Sequence, residues 1–273
     1  MPIHGTVGLM TTVNLHISGE PSDLPLVLLA PFPLDARLWG GVAERLATTD
    51  GPTRVITVDP PGFGGAGAGG EPSLEAYASA LLTALDAAGV QRFVVAGNSM
   101  GGYVAMALAE HHADRLAGIG LVGTKATADA EETRDGRLAT AEQLTHDPDT
   151  ASVVEPMNER MISAKSRAEQ PETVRALRQW LGEAPAASIA WALRAMAVRP
   201  DRTSALAALD VPGLVLCGSD DPMMTGSEQE AMADVLGTTV LAIDGVGHLI
   251  PLEAPDATAA ALADLWHRAA ARA

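Results

Sequence analysis

A serine between two glycines, Gly97-Asn98-Ser99-Met100-Gly101, is the feature of the sequence best suited to covalent chemistry. It stands where a buried-strand pattern, RFVVAG, gives way to a helical one, MGGYVAMALAEHH. A serine at the apex of so sharp a turn is held in a strained backbone conformation. The residues two before and two after it crowd each other, so both must be glycine. Gly97 and Gly101 meet that requirement. The helix behind turns free N–H groups and its positive dipole end toward the serine, which favours negative charge developing on an attacked carbonyl oxygen. A plain glycine turn with a helix-capping serine would explain the five letters but not both flanks.

A serine hydroxyl is a weak nucleophile until a base takes its proton, and an imidazole base needs a carboxylate to set its tautomer and stabilise its cation. Of the seven histidines, His248 stands in Gly245-Val246-Gly247-His248, a glycine-rich loop after the last strand-like run and before the final helix. His4 and His16 come too early, His111 and His112 end the helix behind Ser99, and His267 lies in the terminal helix. These read as solvated or helix-terminal charges; His146, in a separate helical stretch, has a place from which to touch a ligand. The carboxylate is expected after the run Leu214 to Cys217. There Gly218-Ser219-Asp220-Asp221-Pro222 offers two adjacent aspartates, of which only one can face the histidine and the other reads as turn-stabilising.

Groups so far apart in sequence must be gathered by a sheet. Leu26 to Ala30, Val55 to Val58, Phe93 to Ala96 and Leu214 to Cys217 are short, nearly continuous apolar runs, the pattern of strands covered on both faces. Val13, Leu15 and Ile17 alternate with polar residues, as in a half-buried strand, and Thr239 to Ile243 adds a last one. Between the runs, Trp39, Val42 and Leu46, and Leu74, Tyr77, Leu81 and Leu85, have helical spacing, and Asp256 to Ala271 reads as a closing amphipathic helix. The alternation predicts the α/β class, with a mostly parallel, doubly wound sheet and functional residues at the carboxyl ends of its strands. From Lys125 to Ala205 the pattern is helical throughout, punctuated by Pro148, Pro156, Pro171, Pro185 and Pro200. The expected organisation is therefore a core in two parts, 1–124 and 206–273, around an inserted helical cap, 125–205.

A chain of 273 residues suits one large domain with an insertion. Eighteen Lys and Arg against 34 Asp and Glu leave a formal charge of −16, which argues against nucleic acid and anionic membrane surfaces as partners. Cys217 is the only cysteine, so neither an intramolecular disulfide nor a Cys-based metal site is expected, and it reads as a strand filler. The first twenty residues lack a basic region followed by an unbroken apolar run, and no segment has eighteen consecutive apolar residues; the expected location is cytoplasmic.

Taken together, Gly97 to Gly101, Asp221 and His248 occur in the Ser, Asp, His order of the α/β-hydrolases. Asp59-Pro60-Pro61-Gly62-Phe63-Gly64 and the GHLIPLEAPD around His248 also resemble that family, and the likeness runs over nearly the whole chain. The resemblance implies the α/β-hydrolase fold and a Ser99, His248, Asp221 triad, Asp221 being chosen over Asp220 because it stands three residues after the strand-end glycine. It implies that the second oxyanion donor comes from the loop after the Pro25 to Leu29 strand. Many relatives have His-Gly there, whereas this chain has Ala30-Pro31-Phe32-Pro33. Pro31 has no N–H, so the donors are expected to be the backbone N–H groups of Phe32 and Met100, with Pro33 biasing Phe32 toward extended backbone. A serine at this turn, rather than an aspartate, sets the chain apart from the haloalkane dehalogenase and epoxide hydrolase branches. The implied reaction is hydrolysis of a small-molecule carboxylic ester or lactone through an acyl-enzyme, with no metal or organic cofactor.

PFPLDARLW, GNSMGGYVAMALAE and AMAVRPD resemble the 3-oxoadipate enol-lactonase-like esterases, and GNSMGG also resembles the carbon-carbon hydrolases of ring-fission products. An apolar acyl pocket is expected from Met157, Met161, Trp180, Trp191 and Met196 of the cap, with Met223, Met224, Leu249 and Ile250 beside the acid and base. The alternative is that the cap residues only hold its helices together. Either subgroup handles a substrate carboxylate, for which Arg194 or Arg199 is the candidate partner. Two further readings share the same residues: a protein of this fold that binds a small ligand without turnover, and halide-dependent peracid formation.

Overall fold

Seven strands form one sheet in the computed structural model, which describes residues 10–272. They are β1 (Asn14–Gly19), β2 (Leu26–Leu29), β3 (Arg54–Asp59), β4 (Phe93–Asn98), β5 (Leu116–Val122), β6 (Gly213–Gly218) and β7 (Val240–Ile243). Their order is β1-β3-β2-β4-β5-β6-β7. Only β1 runs antiparallel, against β3; every other pairing is parallel. The apolar runs become the inner strands: β2, β4 and β5 are buried at every residue, as both-face coverage requires. The edges are wetter. Ile17 on β1 and Leu241 on β7 are exposed, because each outer strand has a neighbour on one side only.

β5 has no counterpart among the apolar runs read from the sequence. Its segment, LAGIGLV, is broken by Gly118 and Gly120. The packing supplies the reason for one of them: a side-chain carbon at Gly120 would stand 2.9 Å from Ala96 Cβ on neighbouring β4. Closeness of strands, not turn formation, asks for glycine there.

The helices follow the sequence spacing. They are α1 (Gly40–Leu46), α2 (Leu74–Ala87) and α3 (Met100–His111), and, beyond β5, α4 (Glu131–His146), α5 (Ala151–Val154), α6 (Met157–Arg160), α7 (Ala164–Glu169), α8 (Pro171–Glu183), α9 (Ala186–Ala197) and α10 (Thr203–Ala207). After β6 come α11 (Gly226–Val235), α12 (Ile250–Glu253) and α13 (Pro255–Ala270). Between β5 and β6 the described chain is therefore helix and loop only. The prolines sit at the breaks: Pro171 opens α8, while Pro156 and Pro185 precede α6 and α9. Arg202, 2 % exposed, fastens the end of this segment to the core through Glu75 of α2 and, at 3.0 Å, Glu110 of α3. Among the described residues no helix is long and apolar enough to cross a membrane.

Candidate active site

Ser99 follows β4 directly, and it is the only non-glycine residue among those described with a positive φ (φ 52°, ψ −112°). Such a conformation persists only where its surroundings over-determine it. The Ser99 N–H donates to Val122 O on β5 (2.9 Å), and its carbonyl accepts from Gly102 N (2.9 Å) and Thr124 Oγ1 (2.8 Å). A side-chain carbon on Gly97 would collide with the Gly101 backbone, and one on Gly101 with the Leu29 carbonyl of β2. Gly102 belongs to the same requirement, since a side-chain carbon there would lie 2.6 Å from the Thr124 side chain. The five-residue motif does not include Gly102 or Thr124, and spacing alone gives no sign of them.

His248 lies after β7, wholly buried, with Nδ1 2.8 Å from Asp221 Oδ2 after β6. Asp221 Oδ1 accepts from Met223 N (2.8 Å), which leaves the carboxylate little freedom to turn away. Asp220 is exposed and takes the Ser219 hydroxyl at 3.1 Å. The structure thus separates the two aspartates that the sequence leaves side by side. His248 Nε2 is buried and has no hydrogen-bond partner, so it and Ser99 Oγ are not bonded to each other here. Asn98, next to the serine, donates to His248 O (3.2 Å) and to Val122 O (3.0 Å), tying the two loops together. Three of the other histidines are engaged elsewhere: His16 with Asp59 (2.7 Å), His146 with Glu142 (2.9 Å) and His267 with Asp50 O (2.9 Å). His146, for which ligand contact was conceivable, points along the surface of α4; His4 lies outside the described residues.

Met100 is the first residue of α3, where a helix has no internal acceptor for the N–H. Phe32 follows β2 in a turn closed by Leu34 N to Pro31 O (2.9 Å), with a cis bond to Pro33. Neither N–H donates to a protein acceptor among the described residues. Both Phe32 and Ser99 line one cavity of about 290 Å³.

Met157, Met161, Met196 and Met224 line that cavity, as does Met223. Trp180, Trp191 and Leu249 do not. Trp180 lies instead in a separate pocket beside Pro33 and Phe63, with the Arg37 guanidinium 5.4 Å from its ring centre, while Trp191 and Leu249 are packed into the core. Nor do the two candidate arginines reach it. Arg194 bonds Thr145 Oγ1 (2.8 Å) and Ala141 O (3.2 Å) on α4. Arg199, 4 % exposed, is held by both oxygens of Asp129 at 2.7 and 2.9 Å and stacks 4.0 Å from the Tyr103 ring centre.

The charged residue on the cavity wall is Arg137 of α4. Its Nε bonds Asp129 Oδ2 at 2.8 Å, its one carboxylate partner among the described residues. One aspartate therefore serves two arginines. Burial works against the Asp129 charge, but the bond to Arg199 and the nearby Arg137 outweigh it and hold the carboxyl below its ordinary range. Burial pushes the Tyr103 phenol up against the opposing pull of the same arginines. Nothing in the sequence distinguishes Arg137 from Arg134, which pairs with Asp135 at the surface.

A sequence model of the alpha/beta hydrolase family matches residues 26–261. Among curated proteins, the chain is 31% identical over 257 residues to 2-succinyl-6-hydroxy-2,4-cyclohexadiene-1-carboxylate synthase of Salmonella enteritidis, covering 92% of this chain and 96% of that one. It is 26% identical to 3-oxoadipate enol-lactonase 1 of Acinetobacter baylyi, covering 90% and 89%. Among solved structures, a thermophilic esterase from Thermogutta terrifontis, malate bound, superimposes with a TM-score of 0.88 at 33% identity, covering 96% and 98%. With its sheet order, its loops at the strand ends and a match across most of its length, the chain belongs to the alpha/beta hydrolase family.

Proposed function

We propose that this hydrolase cleaves carboxylic esters or lactones through an acyl-enzyme on Ser99, with His248 as base and Asp221 as its partner. The observation that carries the reading is the 2.8 Å pairing of His248 Nδ1 with Asp221, which leaves Nε2 as the imidazole's free nitrogen. In the proposed course Nε2 takes the Ser99 hydroxyl proton as Oγ adds to the carbonyl, and the oxyanion is held by the N–H groups of Met100 and Phe32. Collapse breaks the bond to the alcohol oxygen, which leaves with the proton from His248. A water then repeats the sequence, giving its proton to His248 and its oxygen to the acyl group, and Ser99 recovers its proton.

Arg137 favours an acyl group that carries a carboxylate. With Asp129 shared between two guanidinium groups, the cluster keeps one uncompensated positive charge, and Arg137 presents it to the methionine-lined cavity that holds Ser99. A charge-assisted bond of this kind contributes about 1.5–3 kcal/mol. The names of two relatives, an enol-lactonase and an esterase with malate bound, agree with such a substrate.

Hydrolysis of p-nitrophenyl esters from acetate to octanoate, beside p-nitrophenyl hydrogen glutarate, tests both parts. Turnover is expected to fall on the order of ten-thousand-fold in Ser99→Ala and in His248→Ala. Arg137→Met is expected to lower kcat/KM about 10- to 100-fold for the half-ester and little for p-nitrophenyl valerate. Retained activity in Ser99→Ala overturns the mechanism; equal losses on both esters overturn the carboxylate preference alone. The synthase relative favours a second reading, in which the reaction forms, rather than hydrolyses, a succinyl-bearing cyclic carboxylate of the kind its name prints as product. Labelling of Ser99 by a fluorophosphonate without turnover of any ester would support that reading. Turnover only of a ring-fission product would move the reaction to carbon-carbon hydrolysis, and absence of labelling would favour a binding protein.

A further inference from the structure

The GHLIPLEAPD stretch contains a carboxylate that the proposed reaction does not use. Glu253, on α12, is 6 % exposed, and it forms no ion pair among the described residues. Instead its oxygens gather backbone N–H groups from two segments far apart in sequence. Gly247 N lies 3.0 and 3.1 Å from the two oxygens, and Ser163 N, at the start of α7, lies 2.9 Å from Oε2. A buried carboxylate is tolerated where N–H donors replace its water, and such bonds are stronger than neutral ones.

Both segments bear on His248. Gly247 precedes it directly. In the other segment Met161 O accepts the N–H groups of His248 (3.1 Å) and Leu249 (3.0 Å), and the Met161 side chain lines the cavity beside Ser99. The two strips approach so closely that a side-chain carbon on Gly247 would stand 2.6 Å from Ser163 N. Gln170 adds a bond from α7's far end to Glu253 O at 3.1 Å. The backbone that carries the imidazole is thus held on one side by the helical segment over the pocket, and Glu253 is the clasp.

We propose that Glu253 is a positioning residue for His248, joining the Met161–Ser163 strip to the histidine loop so that the helical segment is part of what aims Nε2 at Ser99. The inference rests on His248 acting as the base, as proposed above. Removing the clasp leaves two buried N–H groups unpaired and frees the loop, and a displacement of about 1 Å at a catalytic group costs on the order of a hundredfold in rate. Glu253→Gln keeps the volume but offers one acceptor where two stood.

The test compares wild type, Glu253→Gln and Glu253→Ala, after the Ser99→Ala control has established serine-dependent turnover in the parent. The readouts are kcat and KM on one ester, the rate of fluorophosphonate labelling of Ser99, the downfield proton resonance of the His248 Nδ1 to Asp221 bond, and near-UV circular dichroism at the assay temperature. The expected result is a loss of kcat of about a hundredfold in the alanine variant and a smaller one in the glutamine variant. KM should change less than threefold, with slower labelling and a weakened or shifted proton resonance in proportion. A folded alanine variant with kcat within threefold of wild type overturns the proposal. So does a loss of activity with labelling rate and proton resonance unchanged. Should the alanine variant not fold, a glutamine variant with wild-type labelling and proton signal overturns it, and one with both reduced supports it. None of these outcomes touches the esterase reading, which stands or falls with Ser99→Ala.

Discussion

His248 divides its nitrogens between two directions, and the division decides what each neighbouring aspartate is worth. Nδ1 is committed to Asp221, whose other oxygen is fixed by Met223 N, while the Asp220 carboxylate takes the Ser219 hydroxyl at the surface. An amide in place of the Asp221 carboxylate can present its NH₂ to Nδ1, which would turn the imidazole into the tautomer with its proton on Nε2, where a base needs a lone pair. Asp221→Asn is therefore expected to lower kcat about a thousand- to ten-thousandfold. Asp220→Asn is expected to change it less than about threefold, as an exposed site away from the reacting atoms. Steady-state kinetics of the two variants on one ester checks the ranking, and the reverse order would move the acid to Asp220. Residue type alone does not separate adjacent carboxylates in a glycine-proline loop, because one residue of rotation decides which faces inward; the choice of Asp221 comes from the family's spacing after the strand-end glycine. For Ser99 the case is different: the steric demands of the turn are written into the glycines around it, so the sequence alone carries them.

Elements were legible where their burial is uniform and obscured where close packing intervenes. β2 and β4 stand out as apolar runs, whereas β5 is diluted by the glycines that let it lie beside β4. The helical segment was legible as helices, but which of its charges face inward was not. α4 begins with a run of acidic and basic residues, and from it Arg137 reaches Asp129, just before the helix, which also holds Arg199, past the end of α9. This cluster ties α4 to α9, and its pH dependence has a definite sign. Asp129 has a folded pKa below its ordinary value of 3.8, so its stabilisation is complete above that value and is lost as pH falls through the lower folded one. Asp129→Asn leaves Arg199 buried beside a neutral amide and is expected to cost about 3–5 kcal/mol at pH 7. The gap between wild type and variant should narrow as pH drops from 5 toward 3. Thermal melts across that range check it; a gap that stays constant would mean that the Asp129 charge is not what holds the two helices.

At the scale of the whole molecule, the strand ends bring four loops to one edge of the sheet, and this edge was the part of the fold most readily foreseen. Alternating strands and helices leave no other place where residues 32, 99, 221 and 248 can meet. Charge works at a longer range, and there the molecule opposes its own site: a formal −16 surrounds a cavity whose wall carries the Arg137 cation. A negatively charged half-ester must approach through the first field before it feels the second. The repulsion acts between solvent-separated charges, whose range falls from about 30 Å at 0.01 M salt to about 3 Å at 1 M, while the contact with Arg137 is short and partly shielded from solvent, so salt weakens it less. Raising NaCl over that range is therefore expected to increase kcat/KM severalfold for p-nitrophenyl hydrogen glutarate and to leave p-nitrophenyl valerate within about twofold. Initial rates at subsaturating substrate measure both. A fall for the half-ester would mean that attraction to Arg137 extends to the mouth of the cavity and outweighs the net charge, and equal salt responses for the two esters would mean that the carboxylate does not enter beside Arg137 at all.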